Sequence, residues 1–202
     1  MADPAFLKAI GRVEQLVPLG PLVLDLSGRG GVGWVAGDHT TLAVEDRFTL
    51  GGSGSLRGFK RDTVGPSNLV GRPEVDYPSQ IDPVVNATAL ETAPTHWVAT
   101  GGDELAVLTA ELRVPLPVLG LDFESTSLVL FCDAGHLGFL DSAVYTTSKQ
   151  DGLDRFARVG VGAGLHVATP IGPAALDLGI NLDPISRYDE PRFVPHLTLG
   201  SL

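Results

Sequence analysis

ARVGVGAGLHV, residues 157–167, decides the fold because its side chains alternate strictly between two faces. Apolar side chains occupy one parity, and Arg158, His166 and three glycines occupy the other. A period of two residues is the pattern of a β-strand, since successive side chains of a strand point to opposite faces. The stretch therefore predicts a strand with one apolar face and one face that carries few side chains.

Six further segments of the chain are predicted to be strands. Two of them, around residues 7–17 and 193–200, are weaker than the rest. The alternation is clear in PLVLDLSGR (21–29), ELAVLTAELRV (104–114) and AALDLGINL (174–182), whereas SLVLFCDAG (127–135) is apolar on both faces until Asp133. The chain also contains 25 glycines and 15 prolines, which discourage long helices. The sequence thus predicts an all-β, antiparallel fold of about seven strands.

The links between these strands predict the surroundings of the protein. Links at 17–21, 117–123 and 169–173 are short and alternate with longer ones, the longest running from 37 to 101. Transmembrane barrels combine short turns at one end with long loops at the other, and they place apolar residues outside and polar residues inside. We therefore predict part of a transmembrane β-barrel, with a soluble β-sandwich binding module as the alternative.

The composition of the chain argues against several other classes of protein. It has 24 acidic and 14 basic residues, a net charge of −10, which argues against nucleic acid as a partner. No apolar run approaches the ~18 residues of a membrane-spanning helix. Cys132 is the single cysteine, so no disulfide can form within the chain, and we expect a small, buried side chain there.

A glycine-rich stretch, LGGSGSLRGFKRD (50–62), lies within the longest link. Such loops often bind phosphate, but the spacing is wrong for a nucleotide. Gly52 and Gly54 are followed by Gly58, one residue too late for a dinucleotide-binding loop. Lys60 is followed by Arg61, where a P-loop has Ser or Thr. The stretch is therefore expected to approach something other than a nucleotide.

RFTLGGSGSLRGF (47–59) resembles the signature of the BamA-type outer-membrane assembly barrels, the bacterial surface antigen family, whose long sixth external loop carries a [V/L]-R-G-[F/Y] motif. Five more stretches match in the family's order: VGP (64–66), GGDELAVLTAELRVPLP (101–117), LFCDAGHLG (130–138), RVGVGAGLHVATPIGPAALDLG (158–179) and HLTLG (196–200). The resemblance covers most of the chain. It implies a non-enzymatic protein of the bacterial outer membrane, without a cofactor, that inserts or translocates β-barrel clients.

The resemblance assigns the loop motif to four residues: Leu56, Arg57, Gly58 and Phe59. In the family this loop folds back into its own barrel and its arginine meets inward-facing carboxylates, which implies Glu111 and Asp133 as the acceptors for Arg57. Both carboxylates fall on the polar parity of their strands. A confined guanidinium needs such hydrogen-bonded partners. From the residues alone, Arg57 could instead be solvated, and Glu111 could pair with Arg113.

Two chemical alternatives have less support in the sequence. Asp133 and His136 suggest the acid–base pair of a hydrolase, but neither a G-x-S-x-G nor an H-E-x-x-H pattern is present. His166 and His196 stand isolated on polar parities without the spacing of metal ligands, so we predict no metal site.

The resemblance also implies which part of a barrel this is. Family members usually carry periplasmic POTRA domains before a barrel of roughly twice as many strands. We therefore expect residues 1–202 to be the C-terminal part of the barrel, without a POTRA domain and with 37–101 as the long external loop. We also expect that this part alone needs detergent or associates through its edges.

In the family the last strand meets the first strand at a lateral seam that opens to receive a client strand. Carried over, this makes residues 193–200 one side of the seam. Three of its side chains should face lipid (Phe193, Leu197 and Leu199), two should face inward (His196 and Thr198), and Gly200 follows them. The implied partners are the lipid bilayer, unfolded outer-membrane or secreted proteins, and the lipoproteins of an assembly complex.

Overall fold

The computed structural model of this chain is built on one antiparallel sheet of seven strands. The structure describes residues 5–36, 41–70, 96–119, 125–140, 157–170, 172–186 and 189–200. The strands in chain order are β1 (Phe6–Leu19), β2 (Leu22–Val35), β3 (Ser67–Val70), β4 (His96–Ala99), β5 (Glu104–Pro115), β6 (Thr126–Gly138), β7 (Arg158–Thr169), β8 (Gly172–Asn181) and β9 (Phe193–Leu199). The sheet has the order β1-β2-β5-β6-β7-β8-β9, and β3 and β4 form a separate hairpin.

The seven strands predicted by alternation are the seven strands of this sheet, so the all-β antiparallel fold is confirmed. In the described part of the chain the helical segments are two short 3-10 helices, Val44–Asp46 and Leu116–Leu119. The hairpin β3–β4 lies within the link 37–101, where four-residue strands are too short to show a period. The assignment of 37–101 as an external loop stays a prediction, and residues 71–95 of it lie outside the described residues.

None of the helices in the described ranges has the length and apolar character needed to cross a membrane.

The two faces of the sheet differ in what covers them. We call the face against which residues 41–66 pack the inner face, and the opposite one the outer face. Inner side chains of β6, such as Val129 and Asp133, are fully buried. Five of the large apolar side chains on the outer face are exposed by 57 to 76%: Val13, Leu108, Leu176, Leu197 and Leu199. The apolar residues of the alternating pattern therefore lie on the outer face of the sheet, which no other part of the described chain covers.

A β-sandwich needs a second sheet packed face to face on the first. Within the described ranges the other sheet is the two-stranded β3–β4 hairpin, which is too small to form that layer. The sandwich alternative is therefore not the fold of the described residues.

Cys132 lies on the outer face of β6 and is exposed. The expectation of a buried cysteine was wrong, because this residue shares its parity with the exposed Leu130 rather than with the buried Phe131.

The sheet ends at β1 on one side and at β9 on the other. No ladder of hydrogen bonds joins these two strands among the residues described. One side of each end strand therefore presents unpaired backbone N–H and C=O groups.

The bare face of β7 is filled by side chains from neighbouring strands. The Phe131 ring of β6 lies over Gly162, where an added Cβ would collide with this ring and with the carbonyl oxygen of Leu178. An added Cβ at Gly164 would overlap the carboxylate of Asp177. The glycines of β7 therefore make room on the inner face for larger groups.

We expect Gly162→Ala to lower the free energy of unfolding by roughly 1–3 kcal/mol, because the methyl group overpacks the inner face. The matched control is Gly11→Ala in β1, where an added Cβ meets nothing within 4 Å. Urea unfolding of both variants measures the difference. Equal unfolding midpoints for the two variants would contradict this packing.

Candidate functional site

Residues 41–66 form an irregular loop that packs on the inner face. Five apolar residues of the loop join three of the sheet in one buried cluster: Phe48, Leu50, Leu56, Phe59, Val64, Leu105, Val107 and Leu137. Leu56 occupies the space over Gly135, where an added Cβ would lie 2.6 Å from its Cδ1 atom. Burial of these side chains anchors the loop on the sheet.

The glycines at the start of the motif allow a compact turn. Gly51 has a φ of +114°, and its N–H donates to Ser55 Oγ at 3.0 Å. The Gly52 N–H donates to the carbonyl oxygens of Leu56 and Phe59 at 3.1 and 3.2 Å. A positive φ favours glycine because other residues suffer a clash with their Cβ. These N–H groups bind the loop's own oxygens rather than a phosphate.

The Arg57 side chain lies between two carboxylates of the sheet. Its Nε and Nη2 atoms donate to Asp133 Oδ2 and Oδ1 at 2.9 and 2.8 Å, and its Nη1 atom donates to Glu111 Oε1 at 2.6 Å. The Phe131 ring covers the guanidinium, with 3.7 Å from Cζ to the ring centroid. The side chain of Arg57 is 5% exposed and that of Asp133 is 0% exposed. We call this group of four residues the arginine clasp.

The charge on Arg57 is stabilised inside the clasp. Burial lowers the pKa of the guanidinium, but the hydrogen bond and charge of Asp133 and those of Glu111 outweigh it, so the pKa is raised above its ordinary value. Arg57 therefore stays protonated, and both carboxylates keep a partner.

The clasp continues into a chain of alternating charges. Arg113 Nη2 donates to Glu111 Oε2 at 3.0 Å and to Asp25 Oδ2 at 2.7 Å. Glu111 thus binds Arg57 through one oxygen and Arg113 through the other. The Glu111–Arg113 pair of the alternative is present, but the solvated Arg57 that went with it is not, because that side chain is 5% exposed. Asp25 was missed, although it lies on the polar parity of β2 and faces Glu111 in the register.

Backbone contact holds the loop on β7 and β8. An added Cβ on Gly58 would lie 2.8 Å from Gly160 Cα and 3.0 Å from the Ile180 carbonyl oxygen. An added Cβ on Gly179 would overlap the carbonyl oxygen of Arg57. Two motif residues thus rest directly on the backbone of the sheet.

Phe59 is held by a second ion pair that the sequence did not predict. The Phe59 ring is 2% exposed and lies 4.9 Å from Cζ of Arg158. Arg158 Nη2 donates to Glu190 Oε2 at 2.6 Å. Glu190 Oε2 also accepts from Asn181 Nδ2 and from the Ile185 N–H. Glu190 lies in the link between β8 and β9, which has no periodic pattern that could have indicated this contact.

The two histidines on polar parities both have hydrogen-bond partners. His196 Nε2 lies 2.8 Å from the Arg57 carbonyl oxygen, and His166 Nε2 lies 2.9 Å from Asp177 Oδ1. No cluster of three potential metal ligands occurs in the described part of the chain.

The other predicted seam residues make no hydrogen bond to the clasp among the described residues, although Thr198 lines the cavity beside it. Phe193, Leu197 and Leu199 are on the outer face and are exposed by 58, 71 and 73%. Thr198 shares the inner parity, and Gly200 follows β9 with a φ of +100°. Of this segment, the structure brings His196 to the motif.

Asp133 and His136 do not form an acid–base pair. They differ by an odd number of positions along β6 and therefore lie on opposite faces. His136 Nε2 lies 3.2 Å from Glu104 Oε1, whereas Asp133 is enclosed by Arg57. The hydrolase alternative has no support in this geometry.

A polar cavity of about 650 Å³ lies on the inner face beside the clasp. Its lining includes charged and hydroxyl side chains from several strands and from the loop: Arg12, Glu14, Asp25, Ser53, Thr109 and His166. The interior next to the loop is therefore polar, unlike the outer face.

Asp103 fastens the start of the loop. Its Oδ1 atom accepts from the Leu42 N–H at 3.1 Å, and the side chain is buried. Burial raises the pKa of the Asp103 carboxyl above its ordinary value of 3.8, and the Leu42 N–H and the Arg47 charge offset this only in part.

The comparisons with known proteins agree with this arrangement. The Omp85 superfamily domain matches residues 2–200. The crystal structure of BamA from Haemophilus ducreyi lacking POTRA domains 1–3 is similar, with a TM-score of 0.69 and 16% sequence identity. The match covers 96% of this chain and 35% of that one. The chain thus spans about a third of the length of that structure and shares its fold there.

We expect Arg57→Met to lower the free energy of unfolding by about 3–5 kcal/mol, because it leaves the buried Asp133 carboxylate without its charged partner, whereas Glu111 keeps Arg113. Arg57→Lys should recover part of this loss, since an ammonium cannot form the bidentate fork. Urea unfolding and the rate of trypsin cleavage within 41–66 measure both effects.

The matched control for Arg57 is Arg61→Met, because the Arg61 side chain is 89% exposed. We expect a change of at most about 0.5 kcal/mol there. If Arg57→Met unfolds at the same urea concentration as this control, the clasp does not hold the loop.

Asp103→Asn should change how stability depends on pH. Because the pKa of Asp103 is raised in the folded chain, the wild-type free energy of unfolding falls as pH rises from 3.8 through that raised pKa. Asparagine keeps an oxygen for the Leu42 N–H but does not titrate. The variant should therefore gain stability relative to wild type as pH rises through this range, measured as urea midpoints against pH. Glu45→Gln, at an exposed carboxylate of the same loop, is the control, and identical pH profiles for all three proteins would refute the assignment.

Proposed function

Because this chain belongs to the Omp85 superfamily, as its motifs predicted, we propose that it forms the C-terminal part of an outer-membrane barrel that assembles or translocates other outer-membrane proteins. The arginine clasp is the observation that carries this proposal. It holds a long loop against the inner face of the sheet, which is the arrangement implied by the family motif. The similarity to the BamA fold supports the same conclusion.

The outer face of the sheet fits the hydrocarbon of a bilayer. Its large apolar side chains extend from β1 to β9, and a water-soluble monomer rarely exposes so broad a patch. The strands β1, β2, β5, β6 and β7 have 12 to 14 residues each, and roughly 9–11 tilted residues span a bilayer. On this proposal Phe193, Leu197 and Leu199 contact lipid, and the protein lies in the bacterial outer membrane.

The end strands of the sheet suggest how a client would bind. In the described part of the chain, β1 and β9 each have one backbone edge without a neighbouring strand, and an extended client segment can add a strand to such an edge by backbone hydrogen bonds. We propose β9 with Gly200 as one side of the seam. The clients would be unfolded outer-membrane or secreted proteins, and the assembly-complex lipoproteins predicted from the resemblance remain a further proposal.

The proposed activity is mechanical rather than chemical. A client strand gains backbone hydrogen bonds in a medium where unpaired N–H and C=O groups are costly, so pairing itself drives insertion. The loop held by the clasp would keep the wall next to β9 ordered while strands exchange at the edge.

We expect Leu26→Arg to impair insertion into lipid vesicles and Ser27→Arg to leave it intact. These neighbours on β2 lie on the outer and the inner face, and the inner position adjoins Asp25 and the polar cavity. An arginine on the lipid face costs roughly 2–4 kcal/mol at mid-membrane depth. Co-flotation of the refolded protein with vesicles measures insertion. Equal insertion of both variants, or a stable monomer without detergent, would contradict the membrane assignment.

Client binding at β9 can be tested by disulfide crosslinking in the full-length protein. In a Cys132→Ser background, Leu199→Cys at the edge strand should crosslink to a single-cysteine client during its assembly. Leu130→Cys is the control, because it is also exposed on the outer face but lies on β6, which is paired on both sides. Crosslinking that is equal at both positions would exclude β9 as the client-binding edge.

A further inference from the structure

The backbone of the loop motif is tied to the edge strand β9 by one side chain. His196 Nε2 lies 2.8 Å from the carbonyl oxygen of Arg57, across 139 positions of the chain. A carbonyl oxygen can only accept, so Nε2 carries the proton and donates it. This hydrogen bond forms with the imidazole either neutral or charged.

This hydrogen bond is made by an edge strand of the described sheet, which has a neighbouring strand on one side only. β9 pairs with β8 on one side and with no strand on the other within the described residues. Its outer side chains Phe193, Leu197 and Leu199 are exposed, and its inner Thr198 Oγ1 atom is buried without a hydrogen-bond partner among the described residues. In the described part of the chain, β9 is therefore held by its ladder to β8 and by one hydrogen bond to the loop, the bond from His196.

The same residue of the loop is held at its other end by β5 and β6. The guanidinium of Arg57 binds Glu111 and Asp133, while its carbonyl oxygen binds His196. Glu111, Asp133 and His196 lie on β5, β6 and β9, so the contacts of one arginine reach across five adjacent strands, from β5 to β9. The contact of Gly179 with the Arg57 carbonyl oxygen leaves little space for this bridge to slide.

We propose that His196 is a positioning residue that couples the motif loop to the edge strand, so that loosening the clasp loosens β9 and loosening β9 releases the loop. Such coupling is reciprocal by thermodynamic necessity. The proposal rests on the proposed function only in taking β9 as the seam strand. The coupling itself is a property of the folded chain.

The local surroundings of His196 favour a fixed bond over a mobile one. Its partner in the β8 register is Asp177, whose Oδ1 atom binds His166 Nε2 at 2.9 Å. The carboxylate of Asp177 thus already has a donor, and His196 donates to the loop instead. A glutamine at 196 could place an amide N–H near the same carbonyl oxygen, whereas a phenylalanine could not.

The coupling can be tested without any client by amide hydrogen exchange of the chain refolded in lipid vesicles. The exchange rates are measured in two segments, 193–200 and 48–64. His196→Phe should speed exchange in both segments by roughly five- to a hundredfold, the range for loss of one buried hydrogen bond. His196→Gln should restore most of the protection. Thr198→Val is the matched control on the same face of β9, and it should leave exchange unchanged because the hydroxyl it removes has no partner.

The decisive variant lies at the far end of the bridge. Asp133→Asn touches no part of β9, yet it should also speed exchange in 193–200. Glu111→Gln leaves the two hydrogen bonds between Arg57 and Asp133 in place, so it should speed exchange in 193–200 by a smaller factor. This variant replaces Asp133→Asn in the test if Asp133→Asn fails to fold. The coupling is overturned if Asp133→Asn and Glu111→Gln both speed exchange in 48–64 only. It is also overturned if His196→Phe exchanges at the same rates as Thr198→Val. Because no client is present, either result leaves the assembly proposal to be decided by the crosslinking at Leu199.

Discussion

A buried guanidinium must have all of its charge paired, and this constraint organises the protein. Arg57 satisfies it with two carboxylates that stand on different strands, Glu111 on β5 and Asp133 on β6. Both lie on the inner face, where Asp133 is opposite Thr109 and Glu111 is opposite Phe131, so the two carboxylates are offset by two positions along the ladder. The register of β5 and β6 therefore sets where the loop can be held. Removing either carboxylate would leave the buried guanidinium with one charged partner instead of two.

The loop can reach those carboxylates because the sheet beneath it lacks side chains. Gly160 and Gly179 let the backbone of Arg57 and Gly58 lie directly on β7 and β8. Burial of apolar side chains around Leu56 and Phe59 then stabilises the loop on the sheet without fixing its orientation. The ion pairs of Arg57 fix the orientation, because their hydrogen bonds require a definite geometry. The loop is consequently a structural part of the wall rather than an appendage.

The faces of the sheet invert the usual order of a soluble protein. Charged groups form a paired network on the inner face, from Asp133 through Arg57, Glu111 and Arg113 to Asp25. Exposed leucines and valines cover the outer face, where lipid would take the place of a second layer. No single solvent suits both faces, since water would leave the apolar outer face exposed and hydrocarbon would desolvate the charged groups of the inner face.

The sequence by itself determined the strands, their two faces and the arginine with its carboxylates, because alternation and short motifs are local properties of the chain. Residues 157–167 and 174–182 show their faces without any knowledge of their neighbours, and the motif resemblance named Arg57, Glu111 and Asp133. Only the tertiary structure decided the partners of Asp25, Arg158, Glu190 and His196. Those pairings depend on strand register and on the path of links without periodicity, which bring together groups as far apart as Arg57 and His196. Cys132 shows the same limit, since a strand that is apolar on both faces does not reveal which parity is covered.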